Sequence, residues 1–316
     1  MTTTSNRRLH FAGIYDRNPS WRSVFAEKAP EIAIASPEEA AADPASIRYC
    51  LAWRPKPGEL AALPNLQVVF GLGAGVDGIL ADATIPAHLP IVRMVEQGLT
   101  KGMVEYVLWQ VLYHHRRVWE LEEAQANGVW LDHSYPAPWD RAVGIMGLGE
   151  IGAAAAERLA DFKFKLRGWS RNRKSLRNVE SFAGAEELPA FLKGCDILVC
   201  LLPLTVETRG LLNADLFAHL PRGAALINAG RGAQLNEADF LAALQDGQIG
   251  SATLDVFQTE PLPPNHPFWQ QKRLFITPHN ASMTEAGAAV LAIRQQILDF
   301  EAGQPLRHLV DRQAGY

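Results

Sequence analysis

Short, unbroken apolar runs alternate with helical patterns along almost the whole 316-residue chain. Residues 9–15 (LHFAGIY), 48–53 (RYCLAW), 66–70 (LQVVF) and 91–95 (IVRMV) read as buried strands. A second series follows at 142–146 (AVGIM), 165–169 (KLRGW), 196–202 (DILVCLL), 224–228 (AALIN), 251–257 (SATLDVF) and 273–277 (RLFIT). Continuous rather than alternating apolar character suits a parallel sheet covered on both faces. Helical patterns such as GAAAAERLADF and NEADFLAALQDG lie between the later runs, and repeated βα units of this length argue for an α/β fold with doubly wound parallel sheets. A long helix is expected over 101–126, where Val104, Val107, Leu108, Val111, Leu112 and Val118 recur at spacings of three and four. A final helix is expected over roughly 284–302, and loop signals cluster at 127–140 (NGVWLDHSYPAPWD).

The length corresponds to about two domains at ~150 residues each. Hydrophobic residues at 48% and charged residues at 20% are ordinary for a folded globular chain. A net charge of −4 supplies no overall drive toward nucleic acid or an anionic membrane. The first twenty residues lack the apolar core of a secretory signal, and no apolar stretch approaches the ~20 residues that span a bilayer. Cys50, Cys195 and Cys200 form no C-x-x-C pair and sit in or beside apolar runs, so buried, reduced thiols are expected. A cytoplasmic enzyme, without nucleic-acid or membrane partners, is the default reading. The histidines show no ligand spacing with Cys, Asp or Glu, and no metal site is expected.

Gly147-Leu148-Gly149-Glu150-Ile151-Gly152 directly follows the AVGIM run and opens an Ala-rich helix. The first glycine permits a tight turn, the second lets backbone approach a pyrophosphate, and the third allows close helix–strand packing. The helix N-terminus then offers N–H groups and a partial positive charge to phosphates. A purely structural glycine turn is the competing reading. About twenty residues on, where an NAD site carries an acidic residue for the ribose hydroxyls, the chain reads Trp169-Ser170-Arg171-Asn172-Arg173-Lys174. Ser170, Arg171 and Arg173 (or Lys174) can hydrogen-bond and neutralise a 2′-phosphate, so NADPH is the expected cofactor, with NAD as the second possibility. A solvated basic turn is the alternative.

Three polar positions follow late strands, where an open α/β sheet places its active site. Arg231 stands between glycines after AALIN, Glu260 lies shortly beyond SATLDVF, and His279 comes just after RLFIT. In this order and placement the sequence resembles the D-2-hydroxyacid dehydrogenase family, most closely its glyoxylate/hydroxypyruvate reductase branch. The resemblance covers essentially the whole chain. It rests on Gly73-Ala-Gly-Val-Asp77, the Gly147–Gly152 turn, Leu202-Pro-Leu-Thr205, Asn228-Ala-Gly-Arg-Gly232, Asp255-Val-Phe with Glu260-Pro261, and Pro278-His279.

The resemblance implies that Arg231, Glu260 and His279 are the family's catalytic triad. Arg231 would bind the substrate carboxylate and polarise the carbonyl, His279 would donate the proton, and Glu260 would orient the imidazole and favour its charged form. It also implies cofactor contacts at Leu202, Pro203, Thr208, Ala229, Gly230 and Asp255, with structural roles for Asp255 and Thr205 equally open. Ala74, Gly75 and Val76 would hold the substrate carboxylate, while Trp53 and Arg54 would line the pocket or pack its rim. The implied architecture is a Rossmann-type cofactor domain (103–283) inserted in a flavodoxin-like substrate domain (1–102 and 284–316), hinged at two crossings. The implied substrate is a small 2-ketoacid such as glyoxylate or hydroxypyruvate. A homodimer built on the 101–126 region and its following loop is also implied, and Tyr106, Trp109, Tyr113 and Trp119 fit such an interface. Two rivals stand beside this reading: an NAD-linked dehydrogenase of another 2-hydroxyacid, and a non-catalytic nucleotide-sensing scaffold.

Overall fold

The computed structural model describes residues 7–13 and 20–316. Its elements in chain order are β1 (Arg8–Ala12), α1 (Ser20–Lys28), β2 (Ala33–Ile34), α2 (Pro37–Ala42), β3 (Tyr49–Ala52), β4 (Val68–Gly71), α3 (Asp77–Leu80) and β5 (Ile91–Val92). There follow α4 (Gln97–His115), α5 (Val118–Ala126), β6 (Ala142–Met146), α6 (Glu150–Asp161), β7 (Lys165–Ser170), β8 (Val179–Ala183), α7 (Gly184–Leu192) and β9 (Ile197–Cys200). The last are α8 (Ala214–Ala218), β10 (Ala224–Asn228), α9 (Glu237–Asp246), β11 (Ile249–Leu254), β12 (Leu274–Ile276) and α10 (Ala286–Glu301). Contacts divide the chain into two compact units, Met1–Leu99 with Met283–Tyr316, and Thr100–Ser282.

The first unit holds a five-stranded parallel sheet in the order β2-β1-β3-β4-β5. That is the 2-1-3-4-5 order of flavodoxin-like folds. Tyr49, Leu51, Val68 and Phe70 pack on one face with Phe25 of α1 and Ala289, Val290, Ile293 and Ile297 of α10. Cys50, Ala52 and Val69 pack on the other face with Ile79 and Leu89. Both faces are covered, which is why β3 (YCLA) and β4 (VVFG) are apolar along their length, while β1 also carries Arg8 and His10.

The second unit holds a seven-stranded parallel sheet in the order β12-β11-β10-β9-β6-β7-β8. Counting from β6, this contains the doubly wound order 3-2-1-4-5-6, with its reversal between β6 and β9. Along β9 and β10 side chains alternate between two clusters. Ile197, Val199, Ala225 and Ile227 meet α4 and α6, while Leu198, Cys200, Ala224 and Leu226 meet the opposite layer with Phe217 and Phe240. On α4, His114 is buried with Nδ1 2.8 Å from Ser251 Oγ and Nε2 2.9 Å from Thr253 Oγ1.

Several elements differ from expectation. The helix expected over 101–126 is two helices, broken where Arg117 enters the left-handed region at φ 51°. The break lets α5 turn back, so that Tyr113 donates to Glu122 at 2.7 Å, and Arg117 pairs with Glu120 within the new first turn. The 91–95 strand stops at Val92, because the Arg93 N–H turns to the His308 carbonyl and the Met94 N–H to that of Gly73. The 9–15 strand ends at Ala12, and Ile14 and Tyr15 lie outside the described residues. The edge strands β2 and β8 had no apolar run to announce them. Tyr106 and Tyr113, expected at an interface, are buried at 5% and 9% exposure, whereas Trp109 is 48% exposed. Cys50, Cys195 and Cys200 are buried and unbridged. Among the described residues, no helix is long and apolar enough to cross a membrane.

Candidate active site

The C-terminal ends of the second sheet gather most of the polar residues singled out above. Arg231 lies three residues past β10, Asp255 directly past β11 and His279 three residues past β12. The Gly147–Gly152 turn follows β6, Ser170 ends β7, and Leu202 follows β9. Because all seven strands are parallel, these positions share one edge.

His279 Nδ1 lies 2.8 Å from Glu260 Oε2, and Glu260 Oε1 accepts the Phe257 N–H at 3.0 Å. The carboxylate is thus fixed to the backbone on one side and to the imidazole on the other. His279 itself has φ 51°, a left-handed conformation costing roughly 1–3 kcal/mol that persists only where neighbours hold it. Its N–H donates to the backbone carbonyl of Asp255 at 2.8 Å. The Asp255 carboxylate accepts from Thr277 Oγ1 at 2.6 Å, from Asn280 N at 3.0 Å and from Ala281 N at 3.1 Å. Burial pushes this carboxyl above its ordinary range, against the pull of those hydrogen bonds.

Arg231 is half-buried, with its guanidinium donating to the Gly230 carbonyl at 2.8 Å. Its backbone N–H donates to Gln234 Oε1 at 2.8 Å, while Gln234 Nε2 donates to the carbonyls of Leu202 and Pro203 at 2.9 and 3.1 Å. Buried Gln234 therefore braces the arginine loop against the loop after β9. Asn228 adds a second brace, accepting from Gly230 N and donating to the Arg231 carbonyl. Ala229 and Gly230 are buried within this loop. Thr208 Oγ1 donates to the Pro203 carbonyl at 2.7 Å and accepts the Thr205 N–H at 2.8 Å, which folds the 203–208 segment on itself.

The glycine turn has the shape its spacing calls for. Gly147 has φ 103°, and a Cβ at Gly152 would lie 1.9 Å from the Gly147 carbonyl oxygen. At Gly149 a Cβ would meet nothing within 4 Å, so open space lies beside the N-terminus of α6. A dinucleotide pyrophosphate fits that cradle: bare backbone, a helix N-terminus and no side chain in the way. Glu150 and Ile151 occupy the first turn of α6, whereas the Leu148 side chain is buried in the core, leaving only its backbone for a ligand.

At the end of β7, Trp169 Nε1 donates to the Gly184 carbonyl at 2.8 Å and Ser170 Oγ donates to that of Asn172 at 2.7 Å. Arg171 and Arg173 are exposed. Arg173 donates to the Ser181 carbonyl and pairs with Glu187.

The first unit brings its own candidates together. A Cβ at Gly73 would lie 3.1 Å from Trp53 Cζ3, so the indole packs on the glycine loop after β4. Arg54, at φ 48°, sets its guanidinium carbon 5.7 Å from the Trp53 ring centroid. In the same loop Ala74 and Gly75 are half-buried and Val76 is buried. Gln234 and Thr277 were not singled out from the sequence. Three residues past Arg231, Gln234 reads as one more polar residue at the start of a short helix.

A seven-stranded doubly wound sheet, a glycine-cradled helix N-terminus and a histidine–glutamate pair on its C-terminal edge define a dinucleotide-binding α/β oxidoreductase fold. The sequence pattern of the NAD-binding domain of D-isomer-specific 2-hydroxyacid dehydrogenases matches residues 108–281. The chain belongs to that family. It is 43% identical over 301 residues to glyoxylate/hydroxypyruvate reductase A of Serratia proteamaculans, covering 94% of this chain and 96% of the relative. Among solved structures, a D-isomer-specific 2-hydroxyacid dehydrogenase of Xanthobacter autotrophicus in complex with NADPH and MES superposes with a TM-score of 0.92 at 41% identity, covering 98% of this chain and 99% of that one. The NADPH-dependent glyoxylate/hydroxypyruvate reductase of Sinorhizobium meliloti, in complex with NADP and sulfate, gives 0.92 at 39% identity, with the same coverage.

Proposed function

We propose that this chain catalyses the NADPH-dependent reduction of a small 2-ketoacid, glyoxylate or hydroxypyruvate, to the D-2-hydroxyacid. The observation that carries the reading is the His279–Glu260 pair, standing at one sheet edge with Arg231 in a chain whose relatives are named for this reaction. When bound, NADPH supplies the hydride. Arg231 binds the substrate carboxylate and draws electron density from the carbonyl oxygen. His279 gives its proton to that oxygen as negative charge develops there, and takes it back in the reverse direction. Glu260 holds the ring by accepting from Nδ1. Gly147 to Gly152 cradle the pyrophosphate, and Ser170, Arg171 and Arg173 receive the 2′-phosphate. Leu202, Pro203, Thr208, Ala229, Gly230 and Asp255 belong to loops beside the nucleotide. The amides of Ala74, Gly75 and Val76 offer donors to a carboxylate, and Trp53 and Arg54 shape that loop.

Loss of NADPH absorbance on adding glyoxylate or hydroxypyruvate tests the proposal directly. No loss across a panel of 2-ketoacids would overturn it in favour of a nucleotide-sensing scaffold. Equal or better kcat/KM with NADH would remove the coenzyme assignment.

The working form is proposed to be a cytoplasmic homodimer. Val129, Trp130 and Trp139 in the 127–140 segment are 56%, 96% and 62% exposed, an apolar surface that a second copy would cover. Sedimentation of the purified chain as a monomer at assay concentration would exclude the dimer, and recovery of the native protein outside the cytoplasm would exclude the location.

A further inference from the structure

Tyr106 sits on α4 among other aromatic residues, but its hydroxyl points inward to the turn that carries His279. It lies 2.7 Å from Thr277 Oγ1, which in turn lies 2.6 Å from Asp255 Oδ1. An ionised carboxylate only accepts, and threonine has a single hydroxyl proton, so that proton goes to Asp255 and Tyr106 is the donor to Thr277. Asp255 spends its remaining capacity on the N–H groups of Asn280 and Ala281. Its own carbonyl takes the N–H of His279. One chain of hydrogen bonds therefore runs from α4 to both sides of the residue held at φ 51°. Tyr106, Thr277 and Asp255 are 5%, 6% and 1% exposed, and in such surroundings each bond is strengthened and each loss is costly.

We propose that Tyr106 is a positioning residue for the reaction: by donating to Thr277 it fixes the threonine proton on Asp255, locks the 277–281 turn and keeps the His279 imidazole aimed at Glu260. The inference rests on the assignment of His279 as the proton donor. The ring and the hydroxyl of Tyr106 do separable things. The ring packs against Ala229 and Ala281, with Met103 and Leu201 alongside, and that contact survives in phenylalanine. Only the relay is lost with the hydroxyl.

The test compares Tyr106→Phe, Thr277→Val, Thr277→Ser and the Tyr106→Phe/Thr277→Val double variant with the parent and with His279→Gln. Each is assayed for NADPH-dependent glyoxylate reduction across pH, for NADPH affinity and for melting temperature. Tyr106→Phe is expected to lose about tenfold in kcat, with KM and NADPH affinity within about twofold, since a buried hydrogen bond of ordinary strength is removed from the alignment of the acid. Thr277→Val reproduces the loss, Thr277→Ser restores the parental profile, and the double variant is no worse than Thr277→Val alone, as members of one relay must be. A Tyr106→Phe enzyme that melts lower yet keeps parental kcat would leave Tyr106 a packing residue. Additive losses in the double variant would break the relay. An active His279→Gln enzyme would instead overturn the assignment of the acid, which separates the two failures.

Discussion

His279 Nδ1 and Glu260 Oε2 stand 2.8 Å apart, and the glutamate's other oxygen is tied to the Phe257 N–H. Since a carboxylate can only accept, Nδ1 is the donor in this pair, and under the proposed reaction Nε2 is the nitrogen that would exchange its proton with substrate. His279→Gln should lower kcat by roughly 10²–10⁴-fold, the usual worth of general acid–base help. Glu260→Gln keeps much of the geometry but removes the carboxylate that holds Nδ1, so its kcat should fall as well, by less than that of His279→Gln. Steady-state kinetics check both, and a parental kcat in Glu260→Gln would deny the glutamate a part in the reaction.

Coenzyme choice should depend on the arginines of the basic turn. Arg171→Ala is expected to cut kcat/KM for NADPH by about 10–100-fold, matching the ~1.5–3 kcal/mol of a charge-assisted contact, while leaving NADH turnover unchanged. Arg173 already pairs with Glu187 and the Ser181 carbonyl, so part of any phosphate contact is spent on breaking that pair. The Arg173→Ala loss should therefore stay below about 100-fold, and an unchanged NADPH preference in Arg171→Ala would deny the turn its role in coenzyme choice.

Acid should weaken the fold through His114. Burial between Ser251 and Thr253 pulls this histidine down to about 3 from an ordinary 6.5. Below pH 6.5 the unfolded chain takes up a proton that the folded chain refuses, so this group favours unfolding progressively as pH falls, by at most ~1.4 kcal/mol per pH unit, down to about pH 3. His114→Gln should be less stable at neutral pH yet show a shallower decline of melting temperature on acidification. Parallel curves for parent and variant would count against the histidine.

Gly152→Ala tests the cradle. The added methyl would sit 1.9 Å from the Gly147 carbonyl oxygen, so the turn must open. Overpacking of this kind costs ~1–3 kcal/mol, and NADPH affinity should drop with it. Isothermal titration showing parental affinity would mean that the turn is not where the pyrophosphate rests.

Much of this was legible in the sequence. The strands covered on both faces announced themselves as continuous apolar runs, and Ala142–Met146 and Ala224–Asn228 begin and end where the residues say. Of the edge strands, β5 and β12 carried an apolar run but β2 and β8 did not: Val179–Ala183 is nowhere fully buried, and its pairing with β7 is a tertiary fact. The break at Arg117 was invisible because no glycine or proline marks it; side-chain bonds on either side hold it. At the candidate site, the places of Arg231 and His279 just after strands, and of Glu260 beyond β11, were legible, and the structure adds the Glu260–His279 contact. Gln234, Thr277 and the inward hydroxyl of Tyr106 were not, since each acts through a partner distant in sequence: 22 residues for Thr277 and Asp255, 32 for Gln234 and Leu202, and 171 for Tyr106 and Thr277.

The burial of the three cysteines gives the enzyme a built-in clock. Cys195 and Cys200 are pushed up to about 12 by burial, and Cys50 moves in the same direction. Thiolate is the species that electrophiles attack, so alkylating and oxidising reagents should find almost nothing to react with while the fold is closed. Cys50 marks the first sheet, Cys195 the turn before β9 and Cys200 the end of that strand. The order in which a slow alkylator labels them would then report which sheet opens first.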